Sequence, residues 1–164
     1  MNAKEEWLRT LVVQHEGALL RYARRFVPEA EAREVVQETY LRLWSEDVEK
    51  VQGHEAEWLF CVCRNQCLDR RKAEAKVKQS AVDPLKIASL EPTAEERLEE
   101  RERETRVESL LGDLPPNQQE VIRLKFQEGF SYKEISRITG HSVSNVGVLI
   151  HEAMKRLRHE GGLQ

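Results

Sequence analysis

The chain has 164 residues, with 26 basic and 29 acidic side chains and a net charge of -3. This length suits one domain or two small ones, and a composition of 40% hydrophobic and 34% charged residues is typical of a folded globular protein. The N-terminus lacks the basic start and apolar core of a secretory signal, and no stretch is long and apolar enough to cross a bilayer. We therefore expect a cytoplasmic protein.

Three helices are predicted in the first half of the chain. Helical periodicity of apolar residues runs over residues 5–27, resumes after Pro28 over about 29–45, and returns over about 54–75. Residues 47–53 between the last two are predicted to form a loop. Three such helices can close one small core. The third ends in a basic stretch, residues 69–78, which indicates either contact with nucleic-acid phosphates or a solvated helix end, because cations suit a helix C-terminus.

The middle of the chain differs from both ends. Residues 80–93 contain Pro84 and Pro92 and show little periodicity, which predicts a flexible linker. Residues 91–108 form an acidic, arginine-laced run that is most typical of a solvated helix face with i,i+4 ion pairs. Beyond it, one helix is expected to end near Leu114 and another to begin at Pro115-Pro116. No strand pattern is found, so we predict an all-α fold of two small helical domains joined by a flexible linker.

Residues 131–158 predict a helix-turn-helix, a common reader of DNA. Ser131 and Glu134 have the spacing of a capping box, Ile135 and Ile138 share one face, and Gly140 ends the first helix. A second helix can begin at Ser142 or Ser144, with apolar residues at core spacing from Val146 to Leu157. A helix of this kind fits the DNA major groove, although paired helices with a Gly turn also serve as scaffolding.

Three segments, in order along the chain, resemble the extracytoplasmic-function sigma factors of the sigma-70 superfamily. Residues 34–44 (EVVQETYLRLW) and 58–69 (WLFCVCRNQCLD) are similar to the first domain of that family, and residues 113–136 (DLPPNQQEVIRLKFQEGFSYKEIS) are similar to its second promoter-binding domain. The resemblance implies a dissociable specificity subunit of RNA polymerase without an active site or cofactor. It also implies a domain at 1–78 of the region 2 type, a linker at 79–105, and a domain at 106–164 of the region 4 type.

The resemblance places polymerase binding on the helix that matches residues 34–44. The residues implied are Gln37, Glu38, Leu41, Arg42 and Trp44. A helix with a mixed apolar and charged strip can pack on a partner helix, with the ionic groups fixing register. Leu41 and Trp44 could instead be core residues, and for Leu41 this alternative stays open.

The third helix and the loop before it correspond to the part of the family that opens the minus-ten promoter element. The residues implied are Gln52, His54, Asn65, Arg70, Arg71, Lys72 and Lys76. Asn65 matches the position that lines the pocket for a flipped base. Family members commonly carry an aromatic residue in the preceding loop, whereas residues 46–57 contain none, so melting is expected to depend on Gln52, His54 and Asn65.

The helix-turn-helix corresponds to the reader of the minus-thirty-five element. The residues implied are Lys125, Lys133, Ser144, Asn145, Val148, His151 and Lys155. Relatives often carry basic residues where this chain has Gly147, Leu149 and Glu152, so several phosphate or guanine contacts are missing. We therefore predict weak DNA affinity without polymerase.

Single features of the sequence are compatible with other functions. An autonomous helix-turn-helix regulator would need a dimer interface and two half-sites, and the N-terminal segments argue against it. Cys61, Cys63 and Cys67 could hold zinc or sense oxidants, but buried packing in the first domain is the stronger interpretation, and no metal is expected. No phosphate loop or catalytic pattern predicts an enzyme. By analogy with relatives, an anti-sigma partner is expected.

Overall fold

The structure is a computed structural model that describes residues 2–80 and 106–161, with side chains described over 2–77 and 106–160. Every regular element in those ranges is a helix, which confirms the predicted all-α class. The chain divides into two compact units, and the division falls after Gln79. Of the linker predicted at 80–93, only Ser80 is described, and it is the last residue of a helix; residues 81–93 and most of the acidic run at 91–108 lie outside the described residues.

The first unit contains four helices. They are α1 (Ala3–Ala23), α2 (Glu29–Ser45), α3 (Val48–Val51) and α4 (Glu55–Ser80). The prediction of a plain loop at 47–53 was wrong, because the Asp47 carboxylate accepts from the Glu49 N–H and caps one helical turn that buries Val51. Three longer helices and this turn enclose one core.

Aromatic and polar contacts hold that core together. α1 packs along α2, and the Tyr22 ring lies between Phe26 and Phe60, with centroids 5.3 and 5.1 Å away. Thr39 is fully buried on α2, where its hydroxyl donates to the Val35 carbonyl and accepts from Gln66 Nε2 of α4 at 3.1 Å. This buried bond fixes the register of α4 on α2, because leaving either partner unsatisfied would be costly.

The second unit contains α5 (Arg106–Gly112), α6 (Pro116–Phe126), α7 (Tyr132–Thr139) and α8 (Val143–Gly161). α8 packs against α6 and α5, and the core holds residues from each of these helices, including Leu111, Leu124, Val146, Ile150 and Ala153. Arg123 of α6 reaches Glu108 of α5 at 3.0 Å. The α7–turn–α8 pair confirms the predicted helix-turn-helix.

Local capping explains where α7 and α8 begin. The Ser131 hydroxyl accepts from the Glu134 N–H, and the Glu134 carboxylate accepts from the Ser131 N–H, so the predicted capping box is present. Gly140 ends α7 with a φ of 83°, a conformation that glycine adopts without strain. The Ser142 hydroxyl then accepts from the Asn145 N–H and caps α8.

Ser131→Ala should lower the free energy of unfolding by about 1 kcal/mol, because the Glu134 N–H loses the Ser131 hydroxyl that accepts its hydrogen bond. Urea unfolding followed by circular dichroism measures the change. Ser144→Ala is the matched control, since Ser144 is an exposed serine inside α8 and its loss should be neutral. Equal stability of the two variants would contradict the capping assignment.

Candidate promoter- and polymerase-binding surfaces

The five residues predicted for polymerase binding lie together on the exposed side of α2. Gln37, Glu38, Leu41, Arg42 and Trp44 are all exposed, while Val35, Val36, Thr39 and Leu43 on the other side are buried. Leu41 and Trp44 are 57% and 41% exposed. The alternative that they are core residues is therefore wrong, because α2 contributes Val35, Thr39 and Leu43 to the core instead.

A groove between α1 and α2 adjoins this strip. Its volume is about 770 Å³, and it is lined by Leu8, Glu16, Leu20, Arg24, Arg33, Val36, Gln37, Tyr40, Leu41 and Trp44. Three of the apolar lining residues, Leu8, Leu20 and Tyr40, were not predicted as site residues. No sequence signal pointed to them, and it is the structure that shows Leu19 fully buried and its neighbour Leu20 half-buried at the groove.

Charged groups surround the groove and restrain its aromatic residues. The Lys4 ammonium lies 5.4 Å from the Trp44 ring centroid and donates to the Glu46 carbonyl, so it holds the indole from one side. Burial, with Glu16 nearby, raises the pKa of Tyr40 well above its usual range, which keeps its hydroxyl neutral. Glu38 and Arg42 form an i,i+4 pair at 3.6 Å along the edge of the strip. The surface thus combines an apolar groove with a charged rim.

The residues predicted for the minus-ten element follow α4 rather than forming one compact pocket. Gln52 and His54 are exposed in the turn before α4, and Asn65 is exposed ten residues beyond the helix start. That separation is about 15 Å along a helix axis. Arg71, Lys72 and Lys76 continue the same helix as exposed cations. At about 100° per residue, Asn65, Lys72 and Lys76 share one face of α4, whereas Arg71 lies about 120° away around the helix.

Arg70 differs from the neighbouring cations. Its Nη1 lies 2.7 Å from Glu34 Oε2, so the guanidinium joins α4 to α2. The sequence spacing gave no indication of this ion pair, since the partners are 36 residues apart. A phosphate would have to compete with the Glu34 carboxylate for Arg70.

The cysteines pack inside the first unit. Cys63 and Cys67 are fully buried and Cys61 is half-buried, and all three are free thiols. A hydrogen bond with Cys67, together with burial, raises the pKa of the Cys63 thiol. Among the described residues, no group of three or more His, Cys, Asp or Glu side chains is placed to hold a metal ion.

The residues predicted for the minus-thirty-five element surround the helix-turn-helix. Lys133, Ser144, Asn145, Val148, His151 and Lys155 are exposed, and Lys125 is half-buried. The Lys125 ammonium lies 5.2 Å from the Tyr132 ring centroid, and the Asn145 side-chain amide lies 3.2 Å from His141 Nδ1. Both side chains are therefore already oriented by neighbours in the same unit.

Comparison with known families gives matches for both units. Residues 11–77 match the family described as sigma-70 region 2, and residues 104–157 match the family described as sigma-70, region 4. The chain belongs to the sigma-70 family. The individual relatives place it among the extracytoplasmic-function sigma factors.

One relative is the extracytoplasmic-function RNA polymerase sigma factor SigL of Mycobacterium tuberculosis, 28% identical over 161 residues, covering 95% of this chain and 89% of SigL. SigE of Mycolicibacterium smegmatis is 26% identical over 151 residues, covering 90% of this chain and 59% of SigE. Both alignments extend over most of this chain and therefore include both matched regions. The protein is thus a sigma factor, which directs core RNA polymerase to promoters, rather than an autonomous regulator.

Two solved structures share the fold. CnrH, solved in complex with the cytosolic domain of CnrY, matches with a TM-score of 0.60 and 28% identity over 94% of this sigma factor and 87% of CnrH. RpoE of Bartonella quintana, solved with the anti-sigma factor NepR, matches with a TM-score of 0.64 and 20% identity over 92% and 94%. In the part of this sigma factor that the structure describes, no helix has the length and hydropathy needed to span a membrane.

Gly147 of α8 has room for a larger side chain. A Cβ built there meets only Tyr132 Cε2, at 3.6 Å, which is ordinary van der Waals contact. Gly147→Arg should therefore fold, and glycine's removal from a helix interior should add up to about 1 kcal/mol of stability. One added phosphate contact should raise duplex affinity about fivefold and steepen the log–log salt dependence by about one unit.

Fluorescence anisotropy of a labelled duplex across a salt series measures the effect of Gly147→Arg. Gly147→Ala is the matched control, because it gives the same gain in helix propensity without the charge. If Gly147→Ala raised affinity as much as Gly147→Arg, the gain would come from helix stability and not from a phosphate contact.

Proposed function

We propose that the first unit of this sigma factor binds core polymerase with the exposed strip of α2 and the groove beside it. The observation that carries this proposal is the position of Leu41 and Trp44. Both are large apolar side chains left exposed at the edge of a preformed apolar groove, with the Glu38–Arg42 pair next to them. An apolar centre with a charged rim is the usual anatomy of a protein interface, and aromatic anchors carry much of its energy.

We propose further that α4 engages the minus-ten element and that α7 and α8 engage the minus-thirty-five element. The face of α4 that carries Asn65, Lys72 and Lys76 supports the first assignment, because it combines an amide for a base with cations for phosphates, and Arg71 adds a cation beside it. The capped α7–turn–α8 pair and its exposed polar residues support the second. Arg70 contributes less to DNA in this scheme, since Glu34 already neutralises it.

The domain limits we propose are 1–78 for polymerase and minus-ten binding, 79–105 for the connection, and 106–164 for minus-thirty-five binding.

We assign no catalytic role to this chain, because bond formation in transcription takes place in the polymerase. We place the protein in the cytoplasm, where bacterial polymerase works. CnrH was solved with the cytosolic domain of CnrY and RpoE with the anti-sigma factor NepR, and we propose an anti-sigma partner for this chain as well.

Run-off transcription tests the proposed function directly. The purified chain is added to polymerase core that lacks any sigma factor, with a library of promoter fragments carrying random minus-thirty-five and minus-ten elements. The proposal expects transcripts from a defined subset of fragments and a stable complex on gel filtration. Binding to a palindromic duplex without polymerase, and no transcript with it, would favour the autonomous regulator instead.

A further inference from the structure

The outward face of α8 centres on an exposed valine. The buried residues Val146 and Ile150 flank Val148 by two positions on each side, so Val148 points about 160–200° away from the core at 100° per residue. Its side chain is 52% exposed. Ser144, Glu152 and Lys155 lie at offsets of four and seven residues and complete one exposed strip with it.

Helix stability does not account for a valine at this position. β-Branched residues lose side-chain freedom in a helix, so lysine, glutamate or alanine would each stabilise an exposed position of α8 more than valine. Core packing does not account for it either, since the buried side of α8 is occupied by Val146, Ile150 and Ala153. Val148 is therefore an apolar side chain left available on the face of α8 opposite the core.

The chemistry around Val148 limits what it can contact. The sequence from Val143 to Met154 contains no lysine or arginine, so the first three turns of α8 cannot form the bidentate cation–guanine contact that is most common in major grooves. Glu152 is one turn beyond Val148 and disfavours a phosphate there. Gln118 Nε2 of α6 lies 3.4 Å from Glu152 Oε2, which keeps that carboxylate beside the strip.

The major groove offers one apolar group that a small branched side chain can recognise, the 5-methyl group of thymine. We propose that Val148 is a specificity residue that contacts the methyl group of one thymine in the minus-thirty-five element. This inference rests on the proposed role of α8 as the reader of that element. The contact is a nonpolar one, so it selects a base pair without adding to the salt dependence of binding.

Deoxyuridine substitution tests the contact, because uracil differs from thymine only by the absent methyl group. A promoter obtained from the random library is prepared with each thymine of its minus-thirty-five element replaced singly by deoxyuridine, and run-off transcription is measured with the full-length protein and core polymerase. One position should show about a fourfold loss, the factor expected for one buried methyl group.

Variants assign that loss to Val148. Val148→Ala has a shorter side chain and should show a smaller deoxyuridine effect at the sensitive position, whereas Val148→Thr keeps a γ-methyl group and should retain the full effect. Both substitutions are at an exposed site and should leave the thermal unfolding midpoint nearly unchanged. Two results would overturn this inference and leave the proposed function standing. One is a deoxyuridine effect of equal size in wild type and Val148→Ala, and the other is strong transcription with no deoxyuridine effect at any position. Absence of any transcript would overturn the proposed function and this inference with it.

Discussion

Trp44→Ala is expected to weaken the complex with core polymerase by about 30-fold, which corresponds to the ~2 kcal/mol typical of a truncated interface hot spot. Trp44 is 41% exposed at the edge of the groove between α1 and α2, and Lys4 restrains its ring. An indole held in place before binding loses little side-chain freedom on association, so most of its contact energy contributes to affinity. Biolayer interferometry with immobilised core enzyme measures the dissociation constant.

Two further variants make the Trp44 result interpretable. Val77→Ala removes an apolar side chain that is 63% exposed on α4, away from the strip, and should bind core polymerase like wild type. Trp44→Phe keeps a ring in the groove and should lose less affinity than Trp44→Ala. The free energies of unfolding of all three variants, measured by thermal unfolding, should agree within about 0.5 kcal/mol, the range typical of surface substitutions. An affinity for Trp44→Ala equal to that of Val77→Ala would refute the proposed polymerase-binding surface.

Asn65→Ala is expected to reduce open-complex formation about tenfold, because a base flipped from the duplex would lose a hydrogen-bonding partner worth about 1–2 kcal/mol. Asn65 is exposed on α4, and its only described side-chain contact is a long one, 3.9 Å from its amide nitrogen to Cys61 Sγ. Alanine is also the better helix former, so the variant should fold at least as well as wild type. Permanganate footprinting of unpaired thymines measures promoter opening.

A template with a premelted minus-ten element provides the control for Asn65. On such DNA the unpairing cost is already removed, so the deficit of Asn65→Ala should shrink. Affinity for core polymerase should stay at the wild-type value, because α2 carries that proposed surface. Full promoter opening by Asn65→Ala on ordinary duplex would show that the base-binding assignment of this residue is wrong.

Local sequence signals determined the helices and their ends. The Ser131 and Glu134 spacing predicted the capping box, Gly140 predicted the end of α7, and Pro116 predicted the start of α6, as the structure confirms. These features depend on backbone groups within a few residues, so no distant partner is needed to specify them. The same holds for the buried face of α8, where the 3.6-residue period alone selects Val146, Ile150 and Ala153.

Only the tertiary structure decided what covers each helix. An apolar band on α2 is compatible with either burial or exposure of Leu41, and the packing of α1 leaves Leu41 exposed beside a groove. The sequence likewise could not show that Arg70 pairs with Glu34 or that Gln66 bonds to Thr39. Periodicity specifies which side of a helix is apolar, whereas contacts between residues far apart in the chain depend on how the helices pack, and that packing determines which side chains remain available to a partner.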